Sequence, residues 1–167
     1  MNEEMAIRPL QPRDVEAAKA VIVAGCREFF GTEPADFDDM DALSQYSPPK
    51  GVFLVLTCRD SVVGTGAIRG IAEDTCELKR MWFLPEHRGK GFGMRMAEML
   101  LNFAFSAGYR RVRLDTDPRQ VAAQRLYQNL GFQRIERYND GPCSIFMEKV
   151  LADESESVES GPRDRLI

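Results

Sequence analysis

Three glycines at alternate positions, Gly89, Gly91 and Gly93, lie in the stretch HRGKGFGMR among Arg88, Lys90 and Arg95. Glycine lets a ligand approach the main chain and admits backbone angles closed to other residues, so this stretch by itself reads either as a docking surface made of backbone or as an ordinary flexible surface loop. On the first reading its ligand should be anionic. The glycines follow an apolar run, CELKRMWFLP, and lead into a segment with helical periodicity. A helix N-terminus offers unpaired N–H groups and the positive end of its dipole, both suited to phosphate. The P-loop pattern fails because no Lys-Ser or Lys-Thr follows a second glycine at the required distance, and G-x-G-x-x-G fails because the spacing is G-x-G-x-G. Kinase and dehydrogenase chemistry drop out.

His87 is the only histidine, which removes most Ser-His-Asp, Cys-His and histidine-rich metal schemes. It is expected to be a surface residue. Cys26, Cys58, Cys76 and Cys143 show no paired spacing, so neither a zinc site nor a disulfide framework is indicated. DFDDMD, Asp36 to Asp41, lacks the turn glycine and terminal Glu of a calcium loop, and no metal is expected. Chemistry must then rest on carboxylates, tyrosine, lysine or backbone groups.

The elements that position these residues can be read from periodicity. MAIRPL suits a short strand, and Pro12 to Phe30 a helix burying Val15, Ala18, Val21 and Ile22 and ended by Gly31. A loop and second short helix should follow, broken by Pro48 and Pro49. GVFLVLTC and VVGTGAIRGI, joined by RDS, read as an antiparallel hairpin, and CELKRMWFLP as a third strand stopped by Pro85. Phe92 to about Ala107 suits a helix burying Ala97, Leu100, Leu101 and Ala104, with Gly108 as its cap. RRVRLDT is a strand, PRQVAAQRLYQNL a helix begun by Pro118, and FQRIERY and SIFMEKVL two strands flanking the turn NDGP.

The chain of 167 residues fits one domain, residues 1–151, followed by an acidic tail, 152–167, expected to be disordered. The formal charge of −4 is concentrated there: the last sixteen residues hold five acids against two arginines. The body is nearly neutral, which argues against a nucleic-acid partner, although Lys79 to Arg95 carries five Lys or Arg against Glu86 alone. No apolar run is long enough to span a bilayer, and neither a signal segment nor a membrane partner is expected. A cytoplasmic setting follows as the expectation.

The glycine loop together with ELKRMWFLPEHRGKGFG, GYRRVRLDT and AAQRLYQNLGF resembles the GNAT superfamily of acyl-CoA-dependent N-acyltransferases, in element order from about Ile7 to Leu151. The resemblance implies an α/β (α+β) fold, with a mixed and mostly antiparallel sheet of six to seven strands flanked by about four helices. It also implies acetyl-CoA as co-substrate. In that family the loop amides bind the pyrophosphate, which maps to Arg88, Gly89, Lys90, Gly91, Phe92 and Gly93. Met81 and Phe83 map to the bulged strand that pairs with the pantetheine arm. Gln120 stands where many members carry the asparagine that holds this arm; its amide offers the same hydrogen bonds on a stem one methylene longer.

The implied mechanism is direct attack of a neutral amine on the thioester through a tetrahedral intermediate. The bulge N–H, expected at Phe83, would stabilise the oxyanion, and Tyr127 would protonate the leaving thiolate. Glu77 is the expected base, with Asp115 as alternative. Glu77 can also be read as an ion partner of a nearby Lys or Arg, and Tyr127 as a core aromatic. Phe29, Phe30 and Tyr46 read first as core packing but could wall an acceptor pocket, the acidic run Asp36 to Asp41 reads first as a solvated helix start but could attract a cationic amine, and Tyr138 to Cys143 faces the acceptor in related folds. The expected reaction is acetyl transfer to a primary amine of a small molecule. Acetylation of a protein N-terminus or lysine is the alternative, a non-catalytic acyl-CoA sensor stands as another class, and a homodimer is left open.

Overall fold

The computed structural model describes residues 4–32 and 43–151. Asp36 to Asp41 and the tail 152–167 therefore lie outside the described residues. Strand β2 (Val52–Cys58) is a continuous apolar run because it is covered on both faces. Val52, Leu54 and Leu56 enter one core, while Phe53 and Val55 enter the other. Arg59 and Asp60, both at positive φ, make the two-residue turn into β3 (Ser61–Gly70), whose hand matches the twist of the strands. β1 (Met5–Pro9), β4 (Thr75–Phe83), β5 (Arg111–Thr116), β6 (Gln133–Ile135) and β7 (Ile145–Val150) complete a seven-stranded sheet ordered β1-β2-β3-β4-β5-β7-β6.

Helix α1 (Val15–Phe30) covers one face with Ala18, Val21, Ile22 and Cys26. Gly25 brings it down onto β4, since a Cβ there would collide with the Trp82 ring. Helix α2 (Phe92–Ser106) covers the other face with Met96, Leu100, Leu101 and Ala104. Full burial of each large aliphatic contributes about 1.5–3 kcal/mol. Helix α3 (Val121–Asn129) follows β5 on that same core through Tyr127.

All neighbouring strands are antiparallel except β4 and β5. Those two pair only at Thr75–Arg111, Cys76–Val112 and Glu77–Arg113. Beyond Glu77 they part, so the second half of β4 has an edge that no described strand covers. β4 is bulged: Ala67 opposes Lys79 and Thr65 opposes Trp82, which leaves an extra residue at Arg80–Met81, with Arg80 at φ 60°. The expected bulge is present, but it precedes Phe83 instead of falling on it.

Two further expectations are corrected. α3 begins at Val121, not Pro118, because the Asp117 carboxylate accepts the Arg119 N–H and the Asp117 carbonyl accepts the Gln120 N–H, closing a turn where the helix would start. β6 is only three residues long, because the Arg137 guanidinium gathers the carbonyls of Asn139, Gly141 and Cys143 into a wide loop in place of a tight NDGP hairpin. The expected short helix before Pro48 and Pro49 falls partly outside the described residues, and its described part is a 3-10 helix at Leu43–Tyr46.

Candidate functional site

The glycine loop is built as a bare helix terminus. Gly91, at φ 87°, occupies the N-cap position of α2, and no side chain caps the helix. The first N–H to find a main-chain acceptor is that of Arg95, on Gly91 C=O at 3.2 Å. The N–H groups ahead of it are the orphan donors of a helix start. A Cβ added at Gly89 or Gly91 would meet nothing within 4 Å, so the space over the loop is open. Gly93 serves packing instead, since its Cβ would lie 3.4 Å from Leu126 Cδ2, where α2 meets α3.

Arg88 lines the cavity beside this loop and is also tied into the fold. Its N–H is held by Pro85 C=O at 3.2 Å, and its guanidinium makes paired bonds of 2.8 and 2.7 Å to Glu28 on α1. The hydrogen bond from Arg88 pulls the Glu28 carboxyl below its ordinary pKa. Arg88 Nε also donates to Phe83 C=O at 2.9 Å. Arg88 thus ties loop, strand and helix together, while Gly89 to Gly93 present the open backbone.

The parted edge of β4 faces this loop. Leu84 N–H donates to Val63 C=O at 2.9 Å, and because ladder groups alternate, the N–H of Phe83 turns away from β3 into the opening. A cavity of about 310 Å³ runs there between Phe83, Gly89, Gly93 and α3. Phe29 and a half-buried His87 also line it.

A second cavity, about 650 Å³, opens on the α1 side of the split. Met81, Trp82, Arg119, Gln120 and Tyr127 line both, so the two form one bent passage through the parted strands. At the bend, Thr116 Oγ1 donates to Gln120 Oε1 at 2.9 Å, which fixes the amide and turns its NH₂ outward as a donor. Tyr127 is 5 % exposed, and among the described residues its hydroxyl has no hydrogen-bond partner. Burial first, then the charge of Asp115, raises its pKa above that of an ordinary phenol.

The carboxylates sort themselves by geometry. Asp115 lines the larger cavity and accepts from Asn139 Nδ2 at 2.8 Å. Glu77 lines neither cavity. It is 3 % exposed, with Oε1 held by Arg69 (2.9 Å) and Oε2 by the Tyr138 hydroxyl (2.6 Å). Burial, then the Glu77 charge, drives the Tyr138 pKa well upward, so that hydroxyl stays a donor. Phe30 lines the larger cavity, whereas Tyr46 is buried against Phe53 in the α1 core. Tyr138 and Asn139 lie in the turn that the resemblance sets facing the acceptor; their bonds to Glu77 and Asp115 are what the sequence did not show.

The sheet thus parts at its one parallel pair among the described strands, with bare helix amides beside one cavity, a carboxylate beside the other, and Tyr127 lining both. The family model described as the Acetyltransferase (GNAT) family matches residues 21–132, and the chain belongs to that family of acetyltransferases. The uncharacterized N-acetyltransferase YjgM of Escherichia coli is 38% identical over 102 residues, which span 59% of this chain and 61% of that protein. Human N-acetylaspartate synthetase is 39% identical over 100 residues, covering 58% of this chain and 33% of that one. The matched span is thus less than two thirds of either relative. The solved structure of yncA from Salmonella typhimurium with its cofactor acetyl-CoA superposes with TM-score 0.73 over 90% of this chain and 96% of its own, at 18% identity. Among the described residues no helix is long and apolar enough to cross a membrane, and no group of His, Cys, Asp and Glu could hold a metal ion.

Proposed function

We propose that this chain is an N-acetyltransferase that moves an acetyl group from acetyl-CoA to the primary amine of a small molecule in a ternary complex. The observation that carries it is the open row of amides at the start of α2, which leads through the parted strands to Tyr127. In this reading the backbone of Gly89 to Gly93 receives the pyrophosphate, and Met81, Phe83 and Gln120 receive the pantetheine arm. Acetyl-CoA supplies an activated thioester carbonyl. Phe83 N–H donates to the charge that develops on the carbonyl oxygen. Asp115, at the cavity wall, takes the ammonium proton, and Glu77 serves to hold Arg69 and Tyr138. Tyr127, kept protonated by its surroundings, returns a proton to the departing sulfur.

An acceptor chamber of about 650 Å³ has the dimensions of a small-molecule site. The name of the human relative, a synthetase of an acetylated amino acid, supports the same acceptor size. Free-thiol release from acetyl-CoA, measured over a panel of amines, amino acids and short peptides, tests the proposal. Turnover with small amines is the expected result. Turnover with peptides alone would transfer the reading to a protein acceptor, and no turnover while acetyl-CoA still binds would leave a sensor.

A further inference from the structure

His87 closes a single 3-10 turn, Pro85–His87, between the end of β4 and the glycine loop. The main chain of this turn is already engaged. His87 N–H donates to Leu84 C=O at 3.0 Å and Arg88 N–H to Pro85 C=O at 3.2 Å, so neither amide is left for a ligand. What the turn can offer the smaller cavity is side chains, and His87 and Arg88 both line it. They differ in what they have left to give. Arg88 commits its guanidinium to Glu28, through bonds of 2.8 and 2.7 Å, and to Phe83 C=O. Arg119, which also lines this cavity, is paired with Asp117 at 2.8 Å. Lys90 is exposed and lines neither cavity. The His87 ring, by contrast, makes no hydrogen bond or ion pair among the described residues, and its Nδ1 is sealed from solvent.

That orphan nitrogen fixes the tautomer. A proton on Nδ1 would be a buried N–H with no acceptor, which folded proteins avoid more strictly than an unused lone pair, so the proton sits on Nε2. Nε2 is not sealed, and it is the one polar atom of the ring that a ligand can reach. A half-buried ring beside the bare amides of Gly89 to Gly93 thus carries a donor with no partner in the protein. Resting on the transferase reading above, we infer that His87 is a cofactor-binding residue whose Nε2–H donates to a pyrophosphate oxygen of acetyl-CoA. Arg88 then holds the turn to α1, and His87 supplies the side-chain donor that the tethered guanidinium does not. The imidazole has only two side-chain torsions to fix, so ordering it costs less entropy than ordering a lysine.

Calorimetry with CoA on the wild type, His87→Leu and His87→Gln tests this, because the Gln amide nitrogen can stand near the place of Nε2. Loss of a hydrogen bond to a charged oxygen predicts a Kd weaker by about tenfold or more for His87→Leu, with His87→Gln within about threefold of the wild type. A ring that only filled space would be replaced at least as well by Leu. If His87→Leu does not fold, the wild type decides: His87 is the only histidine, so the ring nitrogens of the untagged, ¹⁵N-labelled protein give one pair of resonances. At mildly alkaline pH the proton should be on Nε2. Adding CoA should move the Nε2 resonance, and adding pantetheine, which lacks the pyrophosphate, should leave it in place. A proton on Nδ1, equal Kd for the wild type and His87→Leu, or the same movement with pantetheine as with CoA would each overturn the inference and leave the transferase standing. A wild type that binds neither CoA nor acetyl-CoA would overturn both.

Discussion

At the scale of residues, Tyr127 and Asp115 reach one cavity from a helix and a strand that follow each other in the chain. Burial and the neighbouring carboxylate both favour the neutral phenol, so Tyr127 keeps its proton above the ordinary phenol pKa of about 10. An acid that does not titrate leaves no alkaline limb. The expected profile of kcat/KM rises as the acceptor ammonium deprotonates and shows no fall near pH 10 from an ionising phenol. Tyr127→Phe should lower kcat by roughly 10²- to 10⁴-fold with the Kd for acetyl-CoA unchanged, as stopped assays and calorimetry would show. Unchanged turnover would make Tyr127 a packing residue. Tyr127 and Gln120 could be found in the sequence because the segment that holds them is short and local. The partners of the carboxylates could not, since Asn139 meets Asp115 across 24 positions and Tyr138 meets Glu77 across 61. Contacts that long are made by topology, and no spacing announces them.

Elements carry the cofactor claim, because a helix terminus acts as a unit. Gly91 is both the left-handed N-cap of α2 and the open edge of the cradle. Gly91→Val places a β-branched side chain at φ 87°, at a cost of about 1–2 kcal/mol, and projects it into the ligand's space. The variant should remain folded by circular dichroism and lose measurable affinity for acetyl-CoA; retained affinity would move the phosphate site elsewhere. Most elements were legible because their burial is periodic: alternate residues of β2 serve two cores, and Ala97, Leu100, Leu101 and Ala104 do form the buried stripe of α2. The failures have side-chain causes. Asp117 diverts the backbone that would have begun α3, and Arg137 diverts the carbonyls that would have extended β6. The bond of the Arg88 guanidinium to Glu28, 60 positions away, is one that no local spacing announces.

For the whole molecule, the sheet order places β7 between β5 and β6, and this insertion is what the linear reading could not supply. The hairpin from β2 to β3 follows from a two-residue turn, but nothing local says that the last strand returns to the middle. Its return is what seats β5 away from β4 beyond Glu77, so the split in the sheet is a property of topology. A sheet with that gap has lost ladder bonds along half of β4, and a ligand that lies in it restores contacts between the two halves. Acetyl-CoA at about 100 times its Kd should therefore add about 2.7 kcal/mol to the folded state. For a chain of this size each kcal/mol moves Tm by roughly 2–4 °C, so a rise of about 5–10 °C is expected in a thermal melt. CoA without the acetyl group should give nearly the same rise, because the amides of the α2 start meet the nucleotide end of the molecule. Gly91→Val should abolish the shift, whereas Tyr127→Phe should preserve it; a shift insensitive to Gly91→Val would separate binding from the parted strands.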